Sequence, residues 1–320
     1  MSTRPLIGCL ATTTAVLLTG IPAHATPGPL PESEPAAVIA ELAPDQGSVV
    51  VPESSRGSFV AEAADSGEVI VPKDPNTAVT LEAPTSSTTQ SLSIHLPDEV
   101  NVGKGIVADD GTVVYESRGG SNVDAAVQVL EGGDVRLQTV AHDETAPTSF
   151  TYQFGDGIIP VADNDGSIDL LQDIGHVRVE VGSIEPAWAV DADGHNVETQ
   201  YRVDGNSIIQ DVTVTEDTTF PVVADPKVTR TWWNTTVYFN RKETNTLGWG
   251  SGSVAAIFAA VPDPTISKVL AAGAGLATAY VGWIYNDGKC VKFVYYGHAV
   301  NVWQPYGNSE AGGYCKTKKP

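Results

Sequence analysis

The side chains able to do chemistry are few, and their spacing suits almost none of it. Gly248-Trp-Gly-Ser-Gly-Ser253 sets two serines among glycines. Neither serine has glycine two residues away on both sides, so the turn that presents a nucleophilic serine is not encoded. Its small residues suit close packing instead. Outside the first 25 residues the histidines are His95, His142, His176, His195 and His298, none at ligand or relay spacing from a cysteine or clustered carboxylates. His298 stands alone in the last 94 residues, where the acids are only Glu243, Asp263, Asp287 and Glu310. Two of those acids suit caps or turns, which argues against a paired-carboxylate mechanism. Asp163-Asn-Asp-Gly-Ser-Ile-Asp169 and Asp191-Ala-Asp-Gly194 open like calcium loops, but neither reaches the twelve-residue pattern ending in Glu. Both read as hairpin turns. Gly273-Ala-Gly275 lacks the third glycine of a dinucleotide loop. The sequence therefore predicts no catalytic residue, no metal and no cofactor, and a protein that is not an enzyme.

The cysteines point to export. Arg4, the uncharged stretch Leu6 to Ile21 and Ala23-His24-Ala25 form a cleavable leader, residues 1–25, with cleavage near Ala25. Leu6-Ile7-Gly8-Cys9 mimics a lipoprotein box but precedes the hydrophobic stretch that must come first, so Cys9 leaves with the leader. The expected location is extracellular. Cys290 and Cys315 remain, and an even pair in an oxidising compartment reads as one disulfide. Two cysteines alone do not make a zinc site.

Charge divides the chain. Residues 26–226 hold 35 acids and 7 bases, a net of −28, whereas residues 227–320 hold 4 acids and 10 bases, a net of +6. Solubility accounts for an acidic surface but not for the reversal. Residues 26–66 are rich in Pro, Glu, Ala and Ser and read as a disordered tether. Within them, Gly47-Ser-Val-Val-Val-Pro52 recurs as Gly67-Glu-Val-Ile-Val-Pro72, a duplicated edge strand whose second copy belongs to a folded domain. Residues 67–226 read as an acidic all-β, sandwich-like domain. Alternation is clear in Ser91 to Leu96 and His176 to Val181, and Asp-Gly turns recur at Asp110, Asp156, Asp165, Asp193 and Asp204.

A resemblance enters at four segments. Ala146-Pro147-Thr148 leading to Phe150-Thr-Tyr152, Pro186 to His195, Tyr201 to Asn206, and Phe220-Pro-Val-Val-Ala-Asp-Pro226 are similar to a family of secreted actinobacterial proteins. These carry such a β module, end it with a Pro-Val-Val-x-Asp-Pro signature, and continue into dissimilar C-terminal domains. The layout resembles that of polymorphic secreted toxins and brings no catalytic residues with it.

Residues 227–320 read as a small basic α+β domain holding five of the six Trp and seven of the ten Tyr. Val228 to Phe239 gives one or two strands. Asn240 caps a helix running to about Val261, and Asp263-Pro264 starts a second that ends near Gly288. The two form an antiparallel helical hairpin, followed by strands Lys289 to Tyr296 and His298 to Trp303. Residues 251–261 and 269–285 carry no charge, and Ala271, Gly275 and Ala279 recur every fourth residue. The second helix reaches about 25 Å, somewhat less than a bilayer core of roughly 30 Å. A helix apolar around its circumference is also what a buried core helix looks like. Tyr280, Trp283 and Tyr285 gather at one end like interfacial anchors. Trp283, Tyr285, Lys289, Lys292 and Trp303 are the candidate contacts, with Lys316, Lys318 and Lys319 adding charge.

The whole reads as a multidomain, mainly β chain, closed at its C-terminal end by one disulfide. The expected function is that of a secreted, bacteriocin-like antagonist, whose hairpin perturbs an anionic membrane while the acidic β domain carries it. The alternative is a non-lytic extracellular module binding cell-wall or protein ligands through surface aromatics. The expected partners are an anionic membrane or cell envelope and an immunity or target protein. The positive charge is too sparse for nucleic acid.

Overall fold

The computed structural model describes residues 34–45, 47–63, 67–82, 91–230, 234–248, 279–296 and 302–316. The leader, the small-residue ridge Ala271–Gly275, His298, Lys318 and Lys319 lie outside the described residues.

Alternating apolar residues build antiparallel strands along most of the chain. β1 (Glu53–Ser54), β2 (Ser58–Ala63), β3 (Gly67–Pro72), β4 (Val79–Leu81) and β5 (Leu92–Ile94) pair in sequence order as a five-stranded sheet. Next come β6 (Ile106–Val107), β7 (Val113–Tyr115), β8 (Val123–Val129), β9 (Val135–Ala141), β10 (Ser149–Gln153) and β11 (Ile158–Ala162). β12 (Ile168–Ile174), β13 (Val177–Ile184), β14 (Ala189–Val190), β15 (Thr199–Asp204), β16 (Ser207–Val212) and β17 (Val222–Ala224) follow. The last strands are β18 (Lys227–Arg230), β19 (Asn234–Tyr238), β20 (Cys290–Tyr296) and β21 (Val302–Tyr306). β10, β16 and β15 form a three-stranded sheet, and the other strands from β6 onward form a thirteen-stranded one. All three contribute to one core: Phe59, Val71 and Ile94 meet Phe150, Tyr152 and Ile208, and also Tyr115, Leu137 and Ile184. The fold is thus mainly β and antiparallel.

The tether that composition predicts over 26–66 gives way to ordered structure from Glu34 onward. Helix α1 (Glu34–Leu42) lies on the outer face of the large sheet, with Ile39 against Ala126, Val140 and Val223 and Ala36 against Ala108 and Val114. A few apolar residues at helical spacing are enough to seat a short helix on an existing sheet, and average composition conceals them. The second copy of the repeat is β3. The first runs beside the end of β8, its Val50 N–H donating to Val129 O at 2.8 Å.

Residue 226, where the charge reverses, is not a break in the hydrogen-bonded framework. β18 pairs with β13 on one side (Val228 opposite Ile184, Arg230 opposite Gly182) and with β9 on the other (Lys227 opposite Arg136). A Cβ on Gly182 would come within 2.6 Å of Thr229 O, so only glycine allows this approach. β19 then pairs with the start of β13 and with β20. Strand pairing follows the backbone and buried residues such as Val228, whatever the net charge of the segment.

Beyond β19, Asn240 Oδ1 accepts the N–H groups of Lys242 (2.8 Å) and Glu243 (3.2 Å), capping helix α2 (Arg241–Gly248) as its sequence requires. Helix α3 occupies residues 279–286. The helices meet where a Cβ on Gly248 would lie 3.2 Å from Gly282 Cα, so small residues do set this contact. Leu247, Val281 and Ile284 bury into a second core with Val177 and Val179 of β13, Val237, Phe239 and Phe293. The rest of the predicted hairpin lies outside the described residues. Of the strand expected over 298–303, residues 298–301 lie outside the described residues; β21 begins at Val302 and continues past 303 to Tyr306, with Pro305 opposite Val291. Proline is tolerated because β21 is an edge strand.

Cys290 and Cys315 are bonded, with Cα atoms 5.6 Å apart, and are buried among Leu171, Tyr238, Tyr306 and Tyr314. Arg178 of β13 donates to Ala311 O at 2.9 Å and stacks on Tyr314, whose hydroxyl donates to His176 O. The chain end is thereby fastened to β13. Replacing both cysteines with serine should lower stability in urea by about 3 kcal/mol. An unchanged unfolding midpoint would contradict this role for the bridge.

Candidate functional site

The exposed aromatics gather where α2 meets α3. The one-sided packing of α3 turns Val281 and Ile284 inward, leaving Tyr280 43% and Trp283 60% exposed on the opposite side. Their rings stack with centroids 6.1 Å apart. Arg241 closes the C-terminal end of α3, donating to Tyr285 O (3.0 Å) and Lys289 O (2.6 Å) with its guanidinium 3.9 Å over the Tyr285 ring. A cation at a helix C-terminus is favourable because the last carbonyls carry partial negative charge. Lys242 is exposed, and Lys289 is half-exposed and pairs with Asp287 at 3.1 Å.

The five candidate contacts therefore divide. Trp283, Tyr285 and Lys289 share this corner, although Tyr285 is half-buried beneath Arg241. Trp303 is not a free surface ring: it packs on Phe293 (4.9 Å) and Phe239 (5.7 Å). Lys292 is not a solvated base either. Its Nζ lies 2.7 Å from Glu310 Oε2 and 5.7 Å from the Tyr238 ring centroid.

Two carboxyl groups share that surface. Burial, and then the nearby Asp163, push Asp169 up to about 6 despite Lys292. Burial, and then Asp169, push Glu180 up to about 7.

A third carboxyl is buried where the Pro-Val-Val-Ala-Asp-Pro segment enters β18. Asp225 Oδ1 accepts Trp188 N–H (3.0 Å), Tyr201 O–H (3.0 Å) and the Gln210 amide (3.3 Å). Tyr152 O–H donates to Asp225 O at 3.3 Å. Burial pushes this carboxyl up to about 7, against the hydrogen bonds that favour its charged form. One residue from each of the other three quoted segments thus meets Asp225: Trp188 and Tyr201 at its carboxyl and Tyr152 at its backbone carbonyl. The sequence signal was an acid within an apolar run.

Among the described residues the histidines do not converge. His142 Nε2 lies 2.7 Å from Asp124 Oδ2, and His195 Nδ1 lies 3.7 Å from Asp191 Oδ1. Asp191 and His195 line an open pocket of about 350 Å³ with Glu198 and Asp217, and Asp193 lies within reach of the first two. Burial acts against ionisation of Asp191, yet N–H donors from His195, Thr219 and Asp193 hold it below the ordinary carboxylate range. Its oxygens organise the turn, as the hairpin reading requires.

Comparison of the chain with known protein families, characterised proteins and solved structures returns no match.

Asp169, Glu180 and Asp225 all hold protons more tightly folded than unfolded, so folding is favoured at low pH and loses stability as pH rises through about 6 to 7. Asp74, Asp143 and Asp211 are depressed and act oppositely, but only at acid pH. The melting temperature should therefore fall between pH 5 and pH 8, and Asp225→Asn should flatten that fall. A profile rising over this range would refute the assignment.

Proposed function

We propose that this chain is an exported, non-enzymatic binding protein that attaches to an anionic membrane surface through Tyr280 and Trp283. The observation that carries the reading is that stacked pair, exposed on a helix whose other face is buried, with Arg241, Lys242 and Lys289 alongside. Aromatic rings of this kind suit the headgroup region, and each nearby base adds roughly 1 kcal/mol at an anionic leaflet. The large acidic charge of residues 26–226 orients the basic end toward such a surface, while charge more than about 8 Å away is screened at physiological salt. The leader pattern and the disulfide support export.

The second reading is the bacteriocin-like one, in which the hairpin leaves the fold and perturbs the bilayer. The uncharged stretches 251–261 and 269–285 favour it. Among the described residues no helix is long and apolar enough to cross a membrane. The family resemblance and an immunity or target partner belong with this reading.

The mature chain should sediment with vesicles containing phosphatidylglycerol and not with phosphatidylcholine alone. Trp283→Ala should weaken that binding by about ten-fold. Binding without dye release supports surface attachment, release favours the second reading, and absence of binding refutes both.

A further inference from the structure

The chain holds three Asp–Pro bonds: Asp74–Pro75, Asp225–Pro226 and Asp263–Pro264. Such a bond is open to attack by its own side chain, because the carboxyl can close a five-membered ring on the adjacent carbonyl carbon and proline leaves as a secondary amine. At Asp74 the surroundings oppose this. The side chain is exposed, and Asn76 donates its N–H (3.0 Å) and side-chain amide (2.9 Å) to hold the group as a carboxylate below its usual range.

At Asp225 burial outweighs the donors, and the carboxyl holds its proton instead. The side chain is buried, its Oδ1 is occupied by Trp188, Tyr201 and Gln210, and its Oδ2 has no partner among the described residues. Burial favours the protonated acid, so a proton is on hand for the leaving nitrogen at neutral pH and below. The carbonyl oxygen of Asp225, where negative charge collects during attack, already accepts the Tyr152 hydroxyl. The backbone is fixed on both sides, with Ala224 paired to Thr139 and Pro226 O accepting Leu137 N–H at 2.8 Å.

We infer that Asp225–Pro226 is a self-cleavage site, with the Asp225 side chain as nucleophile and proton source and Tyr152 as the donor to the oxyanion. A side-chain oxygen of Asp225 bonds to the Asp225 carbonyl carbon, the carbon–nitrogen bond to Pro226 breaks, and the carboxyl proton passes to that nitrogen. This leaves a cyclic anhydride, which a water molecule opens. The net reaction is hydrolysis: Asp225 becomes a C-terminus with two carboxyl groups, and Pro226 becomes an N-terminus. β18 remains seated between β13 and β9, so the two pieces stay associated. The disulfide lies wholly within the second piece. This inference is independent of surface attachment.

The full chain is held folded in warm, mildly acidic buffer and followed by intact mass in denaturant and by N-terminal sequencing. The expected products end at Asp225 and begin at Pro226 and co-elute until denatured. The bond should break on the order of ten-fold faster in the folded chain than in urea, and faster than Asp74–Pro75 by a similar factor. Tyr152→Phe, which keeps the ring packing, should slow the reaction by about ten-fold, and Asp225→Ala should abolish it. Circular dichroism and melting show whether each variant is folded; if Asp225→Ala is not, Tyr152→Phe and the urea comparison decide. A chain that stays intact, a cut no faster folded than unfolded, or a rate indifferent to Tyr152→Phe overturns the inference.

Discussion

The structure depends on four residues, Lys227–Arg230, being held as a strand between β13 and β9. Remove that strand and the first core loses Val228, while β19 and the second core lose the strand that leads into them. The seat is charged as well as apolar. Lys227 Nζ lies 2.9 Å from Glu185 and 3.3 Å from Asp134, and Arg230 donates to Leu81 O of the five-stranded sheet. Buried bases need such partners, because an unpaired one would cost more than its packing returns. The charge reversal is thus partly internal: bases that follow residue 226 are neutralised by acids that precede it. Lys292 near Asp169 and Glu180 repeats the pattern.

What the sequence revealed was local. Alternation and Asp-Gly turns announced the strands, Asn240 announced its cap, and the even pair of cysteines outside the leader pattern announced their bond. What it concealed was nonlocal. Nothing near Gly182 says that Thr229 will pass 2.6 Å from where a Cβ would stand. Nothing in Glu34–Leu42 names the sheet it covers, so a short helix in a Pro-, Glu-, Ala- and Ser-rich stretch reads as tether. Trp303 and Lys292 looked like surface contacts because sequence gives a residue's type without the element that packs over it. Asp225 was visible as a signature residue, but its role required Trp188, Tyr201 and Tyr152 to arrive from three other segments.

Function follows from the same arrangement. The basic end is not a separate body hung on an acidic one, since β13 contributes to both cores through Val181 and Ile184 on one side and Val177 and Val179 on the other. The attachment surface proposed at Tyr280 and Trp283 therefore sits on a helix packed into a core shared with β13.

Hydrogen–deuterium exchange of the native chain tests this continuity most directly. Amides of β18 and β19 should exchange as slowly as those of β9 and β13, all opening in one cooperative step. Rapid exchange in β18 and β19 while β9 and β13 stay protected would show two independent units and contradict this continuity.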